Sequence, residues 1–359
     1  MIAVLAQGLH GDPGWRDLGA FLVLFFPAWW AWVNLMLSVN LFGLTQGWNR
    51  LMLIVAMPGL GMMAAAAPEG LGDRAWAYAL GAAWVRLAIF GIWWRIVGDP
   101  RWNHPAWRPI SYGLLTGGLW VISAFVPSPA RFVLWFAALA MEMVLLTVSP
   151  GQSRVNYSRL AVSHIVERIG LFVVIVFGES VFAVVVGLSQ HFTRLSAVAA
   201  LGAFVTVAAL AVIFFQFSTA SAERGIARAQ SVDARESLRE AVLYAPFLLI
   251  SAITMLAAAL GTAVDEPSHH LPVGAIVGLV GGLVVYYAIS GVFEWRLGSS
   301  WLSMTPWLAP GVAAPLGIVL PLAFLLPAWG TTLAAGIVAI GLLLNDYLRV
   351  SHSGPSGAS

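Results

Sequence analysis

The sequence predicts an all-α fold, a polytopic bundle of transmembrane helices, on three observations. Hydrophobic residues make up 60% of the chain and charged residues only 9%, whereas soluble domains hold about 45–50% and 25%. Apolar runs recur from end to end, each near the roughly 20 residues that a bilayer demands of a helix. Turns bearing Pro or Gly, such as Val126-Pro127-Ser128-Pro129, punctuate those runs where helices must stop.

Taken in order, Ile2 to Leu9 is apolar but too short to span. Full spans follow at about Leu18–Phe42, Leu51–Ala67, Ala75–Val97, Ile110–Val126 and Ala130–Ser149. The second half supplies Ser163–Ser189, Ser196–Thr219, Glu240–Val264, Leu271–Phe293, Pro306–Pro327 and Trp329–Arg349. That makes about eleven full spans plus a truncated first helix. Counting the clipped helix, residues 1–151 and 152–350 form two transmembrane halves of six spans each, read as a parallel repeat on thin internal likeness. Ser221–Arg239 reads as a polar amphipathic connector with opposite charges at helical spacing, and 351–359 as a disordered tail.

Composition also excludes whole classes of chemistry. There is no cysteine, so disulfides, thiolate nucleophiles and cysteine-bound metals are out. All 18 basic residues are arginine, which removes any lysine Schiff base or P-loop lysine. The net charge of +2 is spread over loops, so nucleic acid is not expected as a partner. The partners expected are the lipid bilayer and a small solute or ion. No cofactor or metal is expected, and the adjacent His269-His270 beside Asp265 and Glu266 are poor chelating geometry. The first fifteen residues lack the basic region and small-residue cleavage site of a signal peptide.

Arginine asymmetry sets the expected orientation, because cytoplasmic loops retain positive charge. One set of alternate loops and flanking helix ends holds twelve arginines, from Arg50 to Arg349; the opposite set holds four, Arg16, Arg74, Arg131 and Arg194. The expectation is a bacterial inner-membrane protein with a cytoplasmic C-terminus.

Ionisable residues inside the apolar spans are the candidate functional residues. A charge at mid-bilayer costs roughly 2.5–17 kcal/mol, so such groups should face protein or water. Arg86, Glu142 and Glu179 each lie ten to twelve residues from the outer end of a span, a shared depth of roughly 15–18 Å. With Ser180 they form the expected substrate or ion site. One arginine against two carboxylates would leave a surplus acid able to carry a proton. The competing reading is an ion pair that merely pins helices together. His164, Glu167 and Arg168 open the Ser163–Ser189 span as a proposed gate, with an anchoring arginine and a helix N-terminal acid as the plainer reading. Trp30 and Asn34, mid-helix after Pro27, are proposed to line a pathway, against simple packing at a proline kink. No Gly-x-Ser-x-Gly elbow surrounds Ser180, and no enzyme is expected.

His164 to Ser180, read as His-Ile-Val-Glu-Arg-Ile-Gly-Leu-Phe-Val-Val-Ile-Val-Phe-Gly-Glu-Ser, resembles the signature of the bacterial low temperature requirement protein A (LtrA) family. Trp29-Trp30-Ala31-Trp32-Val33-Asn34, followed by Arg50-Leu51-Met52, is similar to a second family motif. The resemblance implies a polytopic membrane protein named for a growth phenotype, without a settled activity. Three family features are missing: the acidic Phe-rich opening motif, the acids after the second motif (here Phe42-Gly43-Leu44-Thr45-Gln46), and a histidine after Tyr244. An internal start at Met1 would account for the first. A small-solute, ion or lipid-linked carrier is the favoured function. A non-catalytic membrane protein for stress or cold adaptation and a lipid-acting membrane enzyme are the alternatives.

Overall fold

The computed structural model describes residues 1–43, 47–99, 105–147, 161–231 and 243–352. After the short α1 (Ile2–Gln7) come α2 (Trp15–Phe42), α3 (Gly47–Ala66) and α4 (Ala75–Trp94). Helix α5 is composite: Trp107–Pro109, a π turn over Ile110–Leu115, then Thr116–Phe125. Next are α6 (Ala130–Thr147) and α7 (Val162–Gln190). Helix α8 (Arg194–Ile213) passes through a second π turn, Phe214–Ser218, into a polar helix, Thr219–Ser231. The chain ends with α9 (Ala245–Asp265), α10 (Val273–Arg296), a third broken helix α11 (Trp301–Ala314, π turn Pro315–Val319, Leu320–Leu325) and α12 (Ala328–His352). Each expected span lies largely on one of these helices, and among the described residues no strand occurs. Also among the described residues, nine of the helices, all but α5 and α6 of the long ones, are long and apolar enough to cross a membrane.

Helix ends follow from local chemistry. At the start of α8 the Thr193 side chain accepts from the Ser196 N–H at 3.1 Å, while the Thr193 N–H donates to Ser196 Oγ at 2.7 Å, a reciprocal capping box. At the end of α5, Arg131 Nε donates to the carbonyls of Ser123 and Val126 at 3.0 and 3.1 Å, satisfying groups that the helix leaves open. The polar half of the expected 221–239 connector is helical through Ser231; 232–239 lies outside the described residues, as do 148–160, where the expected boundary between halves falls.

Two compact units are present. One comprises Met1, Ala3–Leu5 and Gly19–Ile165; the other comprises Ile2, Ala6–Leu18 and Val166–Ser359. Among the described residues the division falls inside α7, between Ile165 and Val166. Segment Ala6–Leu18 also packs with the second unit, which the sequence did not suggest. There His10 Nε2 lies 2.6 Å from Asp265 Oδ2, Gly11 N–H donates to Thr262 Oγ1, and Gly274 N–H donates to Asp12 Oδ1 at the start of α10.

Within the first unit α3 packs on α4, α4 on α5, and α5 on α6. In the second, α8 packs on α12, α9 on α10, and α10 on α11. Lipid tails are as apolar as leucine, so close backbone approach replaces the hydrophobic effect between such helices. Where α3 meets α4, a Cβ on Gly81 would sit 2.7 Å from the Gly59 carbonyl oxygen, and one on Gly59 would sit 2.9 Å from that of Gly81. Where α8 meets α12, a Cβ on Gly202 would fall 2.6 Å from the Thr332 carbonyl. No side chain fits at these crossings.

Gly81→Leu should therefore lower stability by at least about 1–3 kcal/mol through overpacking. Gly61→Ala, where an added Cβ meets nothing within 4 Å, should leave it unchanged; thermal unfolding in detergent compares the two. Thr193→Ala should cost about 1 kcal/mol by removing the cap of α8, read in the same assay.

Candidate functional site

The first unit contains a buried ion pair. Arg86, on α4, donates from Nε to Glu142 Oε1 at 2.6 Å and from Nη2 to Glu142 Oε2 at 3.4 Å. Both side chains are almost wholly enclosed, with 4% and 1% of their surface exposed. Glu142 lies on α6, two helices along, so the pair ties together segments 56 residues apart. Such forked geometry satisfies both oxygens at once, which a point-charge lysine would not do.

The surroundings fix the arginine. Its Nη1 donates to the Ala82 carbonyl at 3.1 Å, and its guanidinium carbon lies 4.8 Å from the centre of the Trp120 ring. Trp120 packs against Trp135, with ring centres 5.0 Å apart, and Trp135 packs against Tyr78 at 5.3 Å. The indole of Trp135 donates to Ser123 Oγ, and the Tyr78 hydroxyl donates to the Leu24 carbonyl of α2.

A small cavity of about 10 Å³, room for roughly one water, lies beside the pair, lined by Trp30, Ala31, Asn34, Arg86, Ile89, Tyr112 and Glu142. On this wall the Tyr112 hydroxyl donates to Asn34 Oδ1 at 3.0 Å, and Asn34 Nδ2 donates to the Trp30 carbonyl one turn back. Four residues singled out from the sequence, Arg86, Glu142, Trp30 and Asn34, therefore meet at one cavity. Asn40 acts elsewhere, where its amide pairs with both backbone groups of Ala161, at 3.0 and 3.1 Å, immediately before α7.

Glu179 does not join this group of lining residues. It sits on the part of α7 that belongs to the second unit and is half-buried. The surplus acid expected from one arginine and two carboxylates is not among the residues lining the cavity, where one guanidinium faces one carboxylate. Ser180 is fully buried, but its hydroxyl donates to the Val176 carbonyl of its own helix, an ordinary intrahelical bond. At the α7 entrance His164 and Glu167 are exposed and Arg168 is half-buried. Helical spacing places His164 and Arg168 on the same sector of α7 as Glu179, with Glu167 pointing elsewhere.

Sequence reading missed Tyr112, Trp120 and Trp135. Tyr112 sits in the π turn of α5, whose extra residue per turn shifts the register of everything after it. A regular 3.6-residue period places Tyr112 and Trp120 wrongly with respect to each other. At the adjacent histidines of the 265–270 turn, His269 Nδ1 lies 3.8 Å from Glu266 Oε2 and His270 Nδ1 lies 3.1 Å from the Leu326 carbonyl. Among the described residues no three acids or histidines gather as a metal site.

Comparison with known proteins agrees with the motifs. A family model described as bacterial low temperature requirement A protein (LtrA) matches residues 1–342. The chain is also similar to a Rhizobium meliloti (strain 1021) protein named uncharacterized protein RA0937, at 28% identity over 188 residues, covering 50% of this chain and 46% of that one. The match thus spans about half the length of that relative. No solved structure matches. With motif, helical architecture and a family match over nearly the whole chain in agreement, this protein belongs to the bacterial LtrA family and is a multi-pass membrane protein.

Proposed function

We propose that the protein is a carrier of a small solute or ion and that the Arg86–Glu142 cavity is its binding centre. The carrying observation is a buried, fully paired arginine and carboxylate beside a cavity with polar walls. Here Asn34 and Tyr112 face the same space and hold each other in place. The space is about 10 Å³, room for roughly one water, so a solute bound here requires the walls to move apart. In this reading His164, Glu167 and Arg168 form the cytoplasmic entrance on α7. Glu179 is a second polar station on that helix, reached separately.

The bracing alternative differs in one measurable way. Removing one partner leaves an uncompensated buried charge and costs about 3–5 kcal/mol, whereas replacing both with apolar residues of similar volume is often neutral. Arg86→Met/Glu142→Leu should therefore fold with near-normal thermal stability. In proteoliposomes tested with radiolabelled sodium, chloride, nitrate, formate and glycine, the wild type should move at least one solute and the double variant none, with Glu179→Gln run alongside. Equal flux in wild type, double variant and empty vesicles would remove the carrier reading.

A further inference from the structure

A groove of the second unit opens where the 6–18 segment crosses the ends of α9 and α10. It holds about 260 Å³, against the roughly 150 Å³ of a dry apolar cavity that admits benzene. Its walls come from residues 9–18, from Met255 and Ala259 of α9, and from the first two turns of α10, all within one compact unit. Gly278 sets the two helices close beside it: a Cβ there would lie 3.2 Å from the Met255 carbonyl oxygen. Small residues at Ala259, Gly274, Ala275 and Gly278 leave the space unfilled.

Depth and chemistry change together along this groove. Asp12, Gly14 and Trp15 line it at the helix ends, where Asp12 Oδ1 accepts from the Gly274 N–H at 2.7 Å. Trp15 is 80% exposed there, as suits a tryptophan where a membrane meets water. Met255 lies ten residues before Asp265, so the inner end reaches about 15 Å along α9. That is half of a hydrocarbon core roughly 30 Å thick, the depth of one leaflet. Asp12 is the one charged side chain in the lining, and the deep walls carry only apolar side chains. A water settles only where roughly two to four polar groups receive it, which those walls do not offer. Val273 and Val277, one turn apart on α10, line the groove and are also 62% and 40% exposed. On a membrane-spanning helix that face meets lipid, so the groove is continuous with the acyl chains around it.

The rim offers both signs of charge. Asp12 and Arg16 are exposed. The second oxygen of Asp12 and the guanidinium of Arg16 have no hydrogen bond or ion pair among the described residues. Asp17, by contrast, is engaged, its Oδ2 accepting from the Gly14 N–H at 2.8 Å.

We propose that this groove binds an acyl chain of a phospholipid whose headgroup carries both a phosphate and an ammonium group, that is, phosphatidylethanolamine. The chain lies along Leu18, Met255, Ala259 and Val277; the phosphate meets Arg16 and the ammonium meets Asp12. Phosphatidylglycerol has the same chains and phosphate but no cation to pair with Asp12. The bound lipid fastens the 6–18 segment to α9 and α10, beside the hydrogen bonds of Gly11 and Asp12. This site is independent of the Arg86–Glu142 cavity and of the carrier reading.

The test is native mass spectrometry of the purified full-length protein, released from micelles holding equal amounts of phosphatidylethanolamine and phosphatidylglycerol. The wild type should retain one phosphatidylethanolamine, favoured about fivefold over phosphatidylglycerol, the ratio that the better exposed ion pairs give. Asp12→Asn keeps an acceptor for the Gly274 N–H and should retain one lipid without that preference. Arg16→Gln should weaken retention of both lipids. Val277→Trp should fill the groove and lose the lipid, while its Tm in lipid-free detergent stays near that of the wild type. Where Val277→Trp fails to fold, the two rim variants, both at exposed positions, still decide. Equal retention of the two lipids by the wild type overturns the headgroup assignment. Retention that none of the three variants alters places the lipid elsewhere and overturns the site. A dimer that retains no lipid, or a monomer that retains none, overturns it as well.

Discussion

The first unit is arranged around the expense of holding a guanidinium and a carboxylate away from water. A lone charge at that depth costs roughly 2.5–17 kcal/mol, so Arg86 and Glu142 persist only because each meets the other in a short, two-pronged contact. Much of the neighbouring structure serves that contact. Three aromatic rings, Trp120, Trp135 and Tyr78, back the guanidinium. The π turn of α5 sets Tyr112 on the cavity wall. Small residues at the α3–α4 crossing bring backbones close enough to hold α4 firmly while it carries the charge.

The second unit is held together differently. Its helices close on one another through glycine contacts such as Gly202 against Thr332, and its polar groups are largely occupied by caps and backbone bonds. The strap of residues 6–18 adds side-chain contacts at one end, where His10, Thr262, Asp265 and Asp12 fasten it to α9 and α10. Glu179 belongs here, half-buried on α7, and is not part of the enclosed pair of the first unit.

The helices were legible in the sequence because a bilayer demands a fixed length of apolar chain, and Pro, Gly and charged residues mark the stops. The cost of buried charge singled out Arg86 and Glu142, and both line one cavity with Trp30 and Asn34. Glu179, read at the same depth, lies on the part of α7 that belongs to the second unit and does not line this cavity. Tyr112 and Trp120 were hidden by the π turn, which changes the helical period locally and leaves no residue signature of its own. The strap was invisible for another reason. Its contacts join residues about 250 positions apart, such as Gly11 and Thr262, and a single sequence carries no pairing information at that range.

If the pocket works as a binding centre, the Arg86–Glu142 pair must open when ligand arrives. Infrared difference spectroscopy of the purified protein, before and after formate is added, tests this most directly. The expected result is that formate brings up a shifted stretch of a buried carboxylate, and that this band is missing from Glu142→Gln. A wild-type spectrum with no such band, although formate binds, would contradict it and mark the pair as a fixed brace.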